Sequence, residues 1–175
     1  MPAKQGNSGN KLNIKALSFY ALMVALCLII GYIESLVNLS FIAPGIKLGL
    51  SNSVCLMLVY KADIKGAFAV NIARIILSAL LFGSPVSLAF SMCGGVMSLL
   101  AVSLVSRSKS VSEIGASILG GAAHNLFQCL AAVVFVGAGV LYYMPILLPI
   151  GAVCGGLTGM LVKLILKKVK TNGIF

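Results

Sequence analysis

GAFAVNIARIILSALLF, residues 66–82, is the stretch that decides how this chain folds. It holds one charge, Arg74, in a run of apolar and small residues. Coiled as a helix at 1.5 Å per residue it is about 25 Å long, close to the depth of a bilayer's hydrocarbon core. Lys61-Ala62-Asp63-Ile64-Lys65 closes it on one side, and Gly83-Ser84-Pro85 turns the chain on the other. A water-soluble protein could bury such a helix only inside a polar shell, and the rest of the chain supplies none. Across 175 residues, 60% are hydrophobic and 9% charged, with a mean hydropathy of +1.11. Soluble domains carry about 25% charged residues. A fold of this size has too much surface per unit mass to hide the excess. Lipid is the solvent that fits.

The pattern repeats outward in both directions. Apolar blocks run over Ala16–Leu36, Leu48–Tyr60, Val86–Ser106, Ile114–Val136 and Pro145–Leu166. The Leu48–Tyr60 block is short and opens on the polar Ser51-Asn52-Ser53. Val37–Lys47, with Pro44-Gly45, reads as a turn or re-entrant loop, and Arg107–Glu113 as a charged loop. The expected architecture is an all-α integral membrane protein, a six-transmembrane-helix bundle forming one domain over residues 12–170. Residues 1–11 and 171–175 read as polar tails. Basic residues set the orientation. Lys4, Lys11 and Lys15 precede the first span, and Lys61 and Lys65 follow the second. Arg107 and Lys109 follow the fourth, and Lys163, Lys167, Lys168 and Lys170 close the sixth. Six crossings with both termini cytoplasmic put all of these inside, leaving Lys47 outside and Arg74 within a span.

That placement also argues against nucleic acid, despite the net charge of +10: the cations sit between apolar blocks rather than among aromatics on a polar face. The first block is too long for a signal-peptide core and lacks a small-residue cleavage site, so it reads as a retained span. The five cysteines, Cys27, Cys55, Cys93, Cys129 and Cys154, fall inside the blocks without CxxC spacing and read as buried free thiols. No zinc motif, phosphate loop or Ser/His/Asp constellation is present. Asp63 is the only aspartate, so Mg²⁺-dependent prenyl-chain synthesis has no carboxylate cluster to use. No cofactor, metal ligand or catalytic residue is expected.

The polar residues within spans are the candidates for function. Arg74 lies about 13 Å of helix from the cytoplasmic end, too deep to snorkel, and costs on the order of 3 kcal/mol in lipid. It must face the bundle interior or a wet cavity, either to meet a ligand or to hold backbone carbonyls or a carboxylate. Asn71 and Ser78 share its face. His124 and Gln128, four apart, form a second stripe with Asn125 beside them, suited to interhelical hydrogen bonds or to a cavity wall. Glu34 and Lys47 bracket the first external loop, as interface anchors or as guards of a pocket mouth. Lys47 with Arg74 would favour an anionic or phosphate-bearing ligand. Gly151, Gly155 and Gly159 form a small-residue stripe, and Gly94-Gly95 and Gly120-Gly121 mark close helix approach. Ala21 and Ala25 repeat the same four-residue spacing on the first span.

Three strings carry a resemblance: Pro44-Gly45-Ile46-Lys47-Leu48-Gly49-Leu50-Ser51-Asn52; Asn71-Ile72-Ala73-Arg74 running to Leu81-Phe82-Gly83-Ser84; and Gly120-Gly121-Ala122-Ala123-His124-Asn125. Over residues 12–170 the chain resembles small bacterial membrane proteins called the Gx transporter family, also catalogued as heptaprenyl diphosphate synthase component I. Its layout is similar to the substrate-binding S components of energy-coupling-factor (ECF) transporters, six-helix proteins whose first helix docks on a coupling subunit through an Ala-xxx-Ala surface. That likeness implies a multi-pass protein of the bacterial cell membrane, with Ala21 and Ala25 as the docking surface and a coupling subunit with ABC ATPases as energising partners. It implies a small-molecule site, holding a vitamin, flavin or isoprenoid precursor, near Glu34, Asn38, Lys47 and Asn52, with Arg74, His124 and Gln128 below; Asn71 and Asn125, beside these in the sequence pattern, complete the expected ligand-binding set. The synthase label implies instead a non-catalytic membrane subunit for a separate prenyl synthase catalytic chain. A looser implication is support for flavin-based electron transfer to the cell exterior.

Overall fold

The computed structural model describes residues 14–36, 49–61, 63–108 and 111–171. The expected loop Val37–Lys47, with Asn38 and Lys47, lies outside the described residues, as do residues 1–11. Among the described residues the chain forms α1 (Ile14–Leu36), α2 (Asn52–Tyr60), α3 (Ile64–Phe82), α4 (Pro85–Val105), α5 (Glu113–Val136), a 3-10 turn (Ala138–Tyr143) and α6 (Met144–Thr171). Five segments are long and apolar enough to cross a membrane. The protein is therefore a multi-pass helical membrane protein. The second expected span differs: α2 begins at Asn52 rather than Leu48 and has nine residues. At 1.5 Å per residue it reaches about 13 Å, under half the hydrocarbon core. The break precedes it at Gly49, whose φ of 74° is a left-handed turn that glycine adopts without strain. At the other end of the chain α6 runs to Thr171, past the expected stop at Leu166.

Side-chain caps hold the helix starts. Asp63 Oδ1 accepts from the Gly66 amide at 2.9 Å to cap α3, and its Oδ2 accepts from Tyr20 Oη of α1 at 2.7 Å. Ser84 Oγ caps α4 by accepting from the Ser87 amide at 3.2 Å, with Pro85 opening the helix. Ser112 Oγ caps α5 by accepting from the Gly115 amide at 3.2 Å. Tyr60 Oη donates to the Ser112 carbonyl at 3.5 Å. These bonds gather the start of α1, the α2–α3 junction and the start of α5 at one end of the bundle. Lys15, Lys61, Lys65 and Arg107 lie at that end.

Packing inverts the usual soluble pattern. Of α1's residues only Cys27 and Glu34 are buried, while Leu22, Ile29, Ile33 and Leu36 face outward. Leu80, Val134 and Leu164 do the same on other helices, as a lipid-facing surface requires. The short α2 lies inside: its Val54, Cys55, Leu58 and Val59 pack with Cys27, Val70, Leu99 and Val162. All five cysteines are free; Cys27, Cys55 and Cys129 are buried, but Cys93 is exposed. The expectation of a buried thiol is corrected there. Gly94 and Gly95 take the inward face of α4, and the residue before them turns outward.

Candidate functional site

Arg74 stands ten residues into α3, about 15 Å from the basic end. Its guanidinium reaches across to the first turn of α2. Nε donates to Asn71 Oδ1 at 3.0 Å, Nη2 donates to the same oxygen at 2.8 Å, and Nη1 donates to Ser51 Oγ at 3.1 Å. Nη2 also donates to Asn52 Oδ1. These bonds draw on most of the group's five donors, and every acceptor is neutral. Among the described residues no carboxylate forms an ion pair with it. The nine-residue helix thus starts level with a cation midway along α3.

Thiols and a buried carboxyl side chain complete the cluster. Cys55 Sγ donates to Asn71 Oδ1 at 3.9 Å and Cys27 Sγ to the Ser51 carbonyl at 3.6 Å. Gly31 lets α1 approach Ser51. Glu34, 7% exposed, accepts a hydrogen bond from the Gly49 amide. Asn71 is 1% exposed, and its Nδ2 has no hydrogen-bond partner among the described residues.

Asn52 and Asn71 border a cavity of about 50 Å³, together with the hydroxyl-bearing Ser98, Ser117 and Thr158. Gly49, Gly95, Gly120, Gly121 and Gly155 give it room. In a measure where one water takes about 10–15 Å³, it holds about four waters or one small polar group. Pockets for drug-sized ligands are roughly 300–1,000 Å³, so a whole vitamin would require the bundle to open.

The structure divides the candidates. Asn52, Asn71, Arg74 and Glu34 meet around the start of α2. Ala21 and Ala25 lie exposed on α1. The α5 stripe goes elsewhere: Asn125 Nδ2 donates to the Leu147 carbonyl at 2.6 Å. His124 and Gln128 lie against α4, where a Cβ on Gly94 would sit 3.2 Å from His124 Cε1 and 3.3 Å from Gln128 Cβ. None of the three lines the cavity. Sequence reasoning missed Ser51, Ser98, Ser117, Thr158 and the Cys27–Cys55 surroundings. Ser51 had a signal in its polar triplet, and Ser117 and Thr158 each sit three residues from a glycine of the packing stripes.

Helical, multi-pass and carrying a cation at the head of a half-length helix, the chain is a membrane protein with a polar centre. It belongs to the heptaprenyl diphosphate synthase component I family, whose model matches residues 23–165. No curated protein and no solved structure matches it.

Proposed function

We propose that this chain is the ligand-binding component of a membrane transport system in the bacterial cell membrane, taking a small anionic molecule at the Arg74 cluster. The supporting observation is the start of α2 at mid-depth against a cation without a described carboxylate partner. In transporters, interrupted helices of this kind place their positive N-terminal ends at anionic substrate groups near the midplane. Arg74 supplies charge there, and Asn52 and Asn71 supply oriented hydrogen bonds. Energy comes from partners, by resemblance a coupling membrane subunit and paired ABC ATPases, with Ala21 and Ala25 exposed for docking.

The family's name favours a second reading, a non-catalytic membrane subunit for a separate prenyl synthase catalytic chain. Among the described residues no group of three His, Cys, Asp or Glu side chains could hold a metal ion. Asp63 is engaged in capping α3 and in the bond from Tyr20. On this reading the Mg²⁺–diphosphate chemistry belongs to the partner.

Affinity capture of the tagged protein from native membranes in gentle detergent, with co-purifying chains identified by mass spectrometry, separates the two. Recovery of ABC ATPases with a coupling subunit supports transport. Recovery of a prenyl synthase catalytic chain overturns it in favour of the second reading.

A further inference from the structure

We propose that the cavity beside α2 receives a carboxylate group, which Arg74 serves as a positioning residue by aiming the side-chain amides of Asn52 and Asn71 into it. The inference rests on the ligand-binding reading above. A guanidinium can only donate, so the amide oxygens of both asparagines must face it, and their NH₂ groups must face the other way. Arg74 grips both oxygens. Asn71 Nδ2 then lies beside Gly95, 3.4 Å from where a Cβ would be, and Asn52 Nδ2 lies beside Gly49 at 3.5 Å. Both glycines border the cavity. Asn71 is 1% exposed and its Nδ2 lacks a partner among the described residues, a costly state for a buried donor and one that an incoming oxygen relieves.

Two of the three hydroxyls on the remaining wall are already committed. Ser98 Oγ donates to the Gly120 carbonyl at 2.7 Å and Thr158 Oγ1 to the Cys154 carbonyl at 2.8 Å, so their protons are spent. The donors offered to a guest are the two amides, with a full positive charge directly behind them, and the Ser117 hydroxyl. That combination selects an anionic oxygen over a neutral one. Size selects further. About 50 Å³, room for about four waters, matches the three or four non-hydrogen atoms of a carboxylate terminus more closely than the nine of a diphosphate.

The test uses the full chain in lipid nanodiscs, labelled with ¹⁵N at asparagine, with acetate, acetamide and pyrophosphate as probes. Acetate is expected to shift the Asn52 and Asn71 side-chain amide signals saturably, at about tenfold lower concentration than acetamide. Pyrophosphate is expected to leave them in place. Equal response to acetamide, response to pyrophosphate, or no response to acetate overturns the proposal. Asn71→Asp keeps an oxygen for Arg74 and removes one donor, so it should lose the acetate response at Asn52 while its melting temperature holds; a retained response overturns the role of the amides. Arg74→Gln should bring acetate and acetamide to parity, which a purely structural arginine would not do. Acetate binding without ATPase partners leaves the site standing and removes the transport reading. ATPase partners with a site blind to acetate do the reverse.

Discussion

Along the seam between α5 and α6 the two backbones touch. A Cβ on Gly121 would lie 2.0 Å from the Gly151 carbonyl oxygen, and one on Gly155 would lie 2.3 Å from that of Ser117. At the junction of α2 and α3, side chains fill the space instead, with Arg74 spanning to Ser51, Asn52 and Asn71. Both regions put polar atoms in the middle of an apolar slab. At the seam they are consumed by packing, as with Asn125 on the Leu147 carbonyl. At the junction a charge and an amide donor are left over. Polar residues in a membrane helix therefore separate by what remains after packing, and the remainder marks the site.

The comparison can be broken most severely at the seam. Gly121→Leu should fail to fold, losing at least about 3 kcal/mol to overpacking, as read by unfolding in detergent. Gly156→Ala, whose new Cβ would meet Ile118 at an ordinary 3.5 Å, should change stability by less than about 0.5 kcal/mol. If Gly121→Leu is stable, the backbones do not touch. At the junction, Arg74→Ala should abolish ligand binding, a loss of about 2–3 kcal/mol, while membrane insertion is kept; binding measured at wild-type strength would remove the site. Asp63→Ala loses both a helix cap and the bond from Tyr20, and should cost about 1–2 kcal/mol in detergent unfolding, against about 1 kcal/mol for Tyr20→Phe. Equal costs for the two would mean that the cap contributes nothing. The smallest effect belongs to Asn125→Ala, at about 0.6 kcal/mol, with ligand binding unchanged. Loss of binding there would move the site to α5 and erase the contrast.

Much of the fold was legible because apolar length and loop charge are sequence properties. The α3, α4 and α5 boundaries fall within two residues of the expected ones, since Asp63, Ser84 and Ser112 cap where composition changes. The truncation of α2 was only hinted at by Ser51-Asn52-Ser53. Hydropathy averages over the break, whereas the break itself is a backbone torsion at Gly49. The 3-10 turn Ala138–Tyr143 was likewise hidden, because its apolar residues read as span or connection alike. Of the candidate site, Arg74, Asn71 and Asn52 were visible as polar residues in lipid. Which oxygens they would share was not, since Ser51 stands 23 residues from Arg74 in the chain. The hydroxyls of Ser98, Ser117 and Thr158 were concealed by residue types that membrane helices also use for packing.

The depth at which α2 begins also carries an electrical meaning. A unit charge moved across the whole membrane exchanges about 2.3 kcal/mol per 100 mV. Arg74 lies about halfway, so a monovalent anion stopping beside it crosses about half the drop, or about 1.1 kcal/mol per 100 mV. That is roughly a sevenfold change in affinity per 100 mV, opposing entry from the far side when the basic end is negative. The nine residues of α2 thus set an electrical distance as well as a structural one. A helix continued to Leu48 would have carried its first turn to a different point in the field.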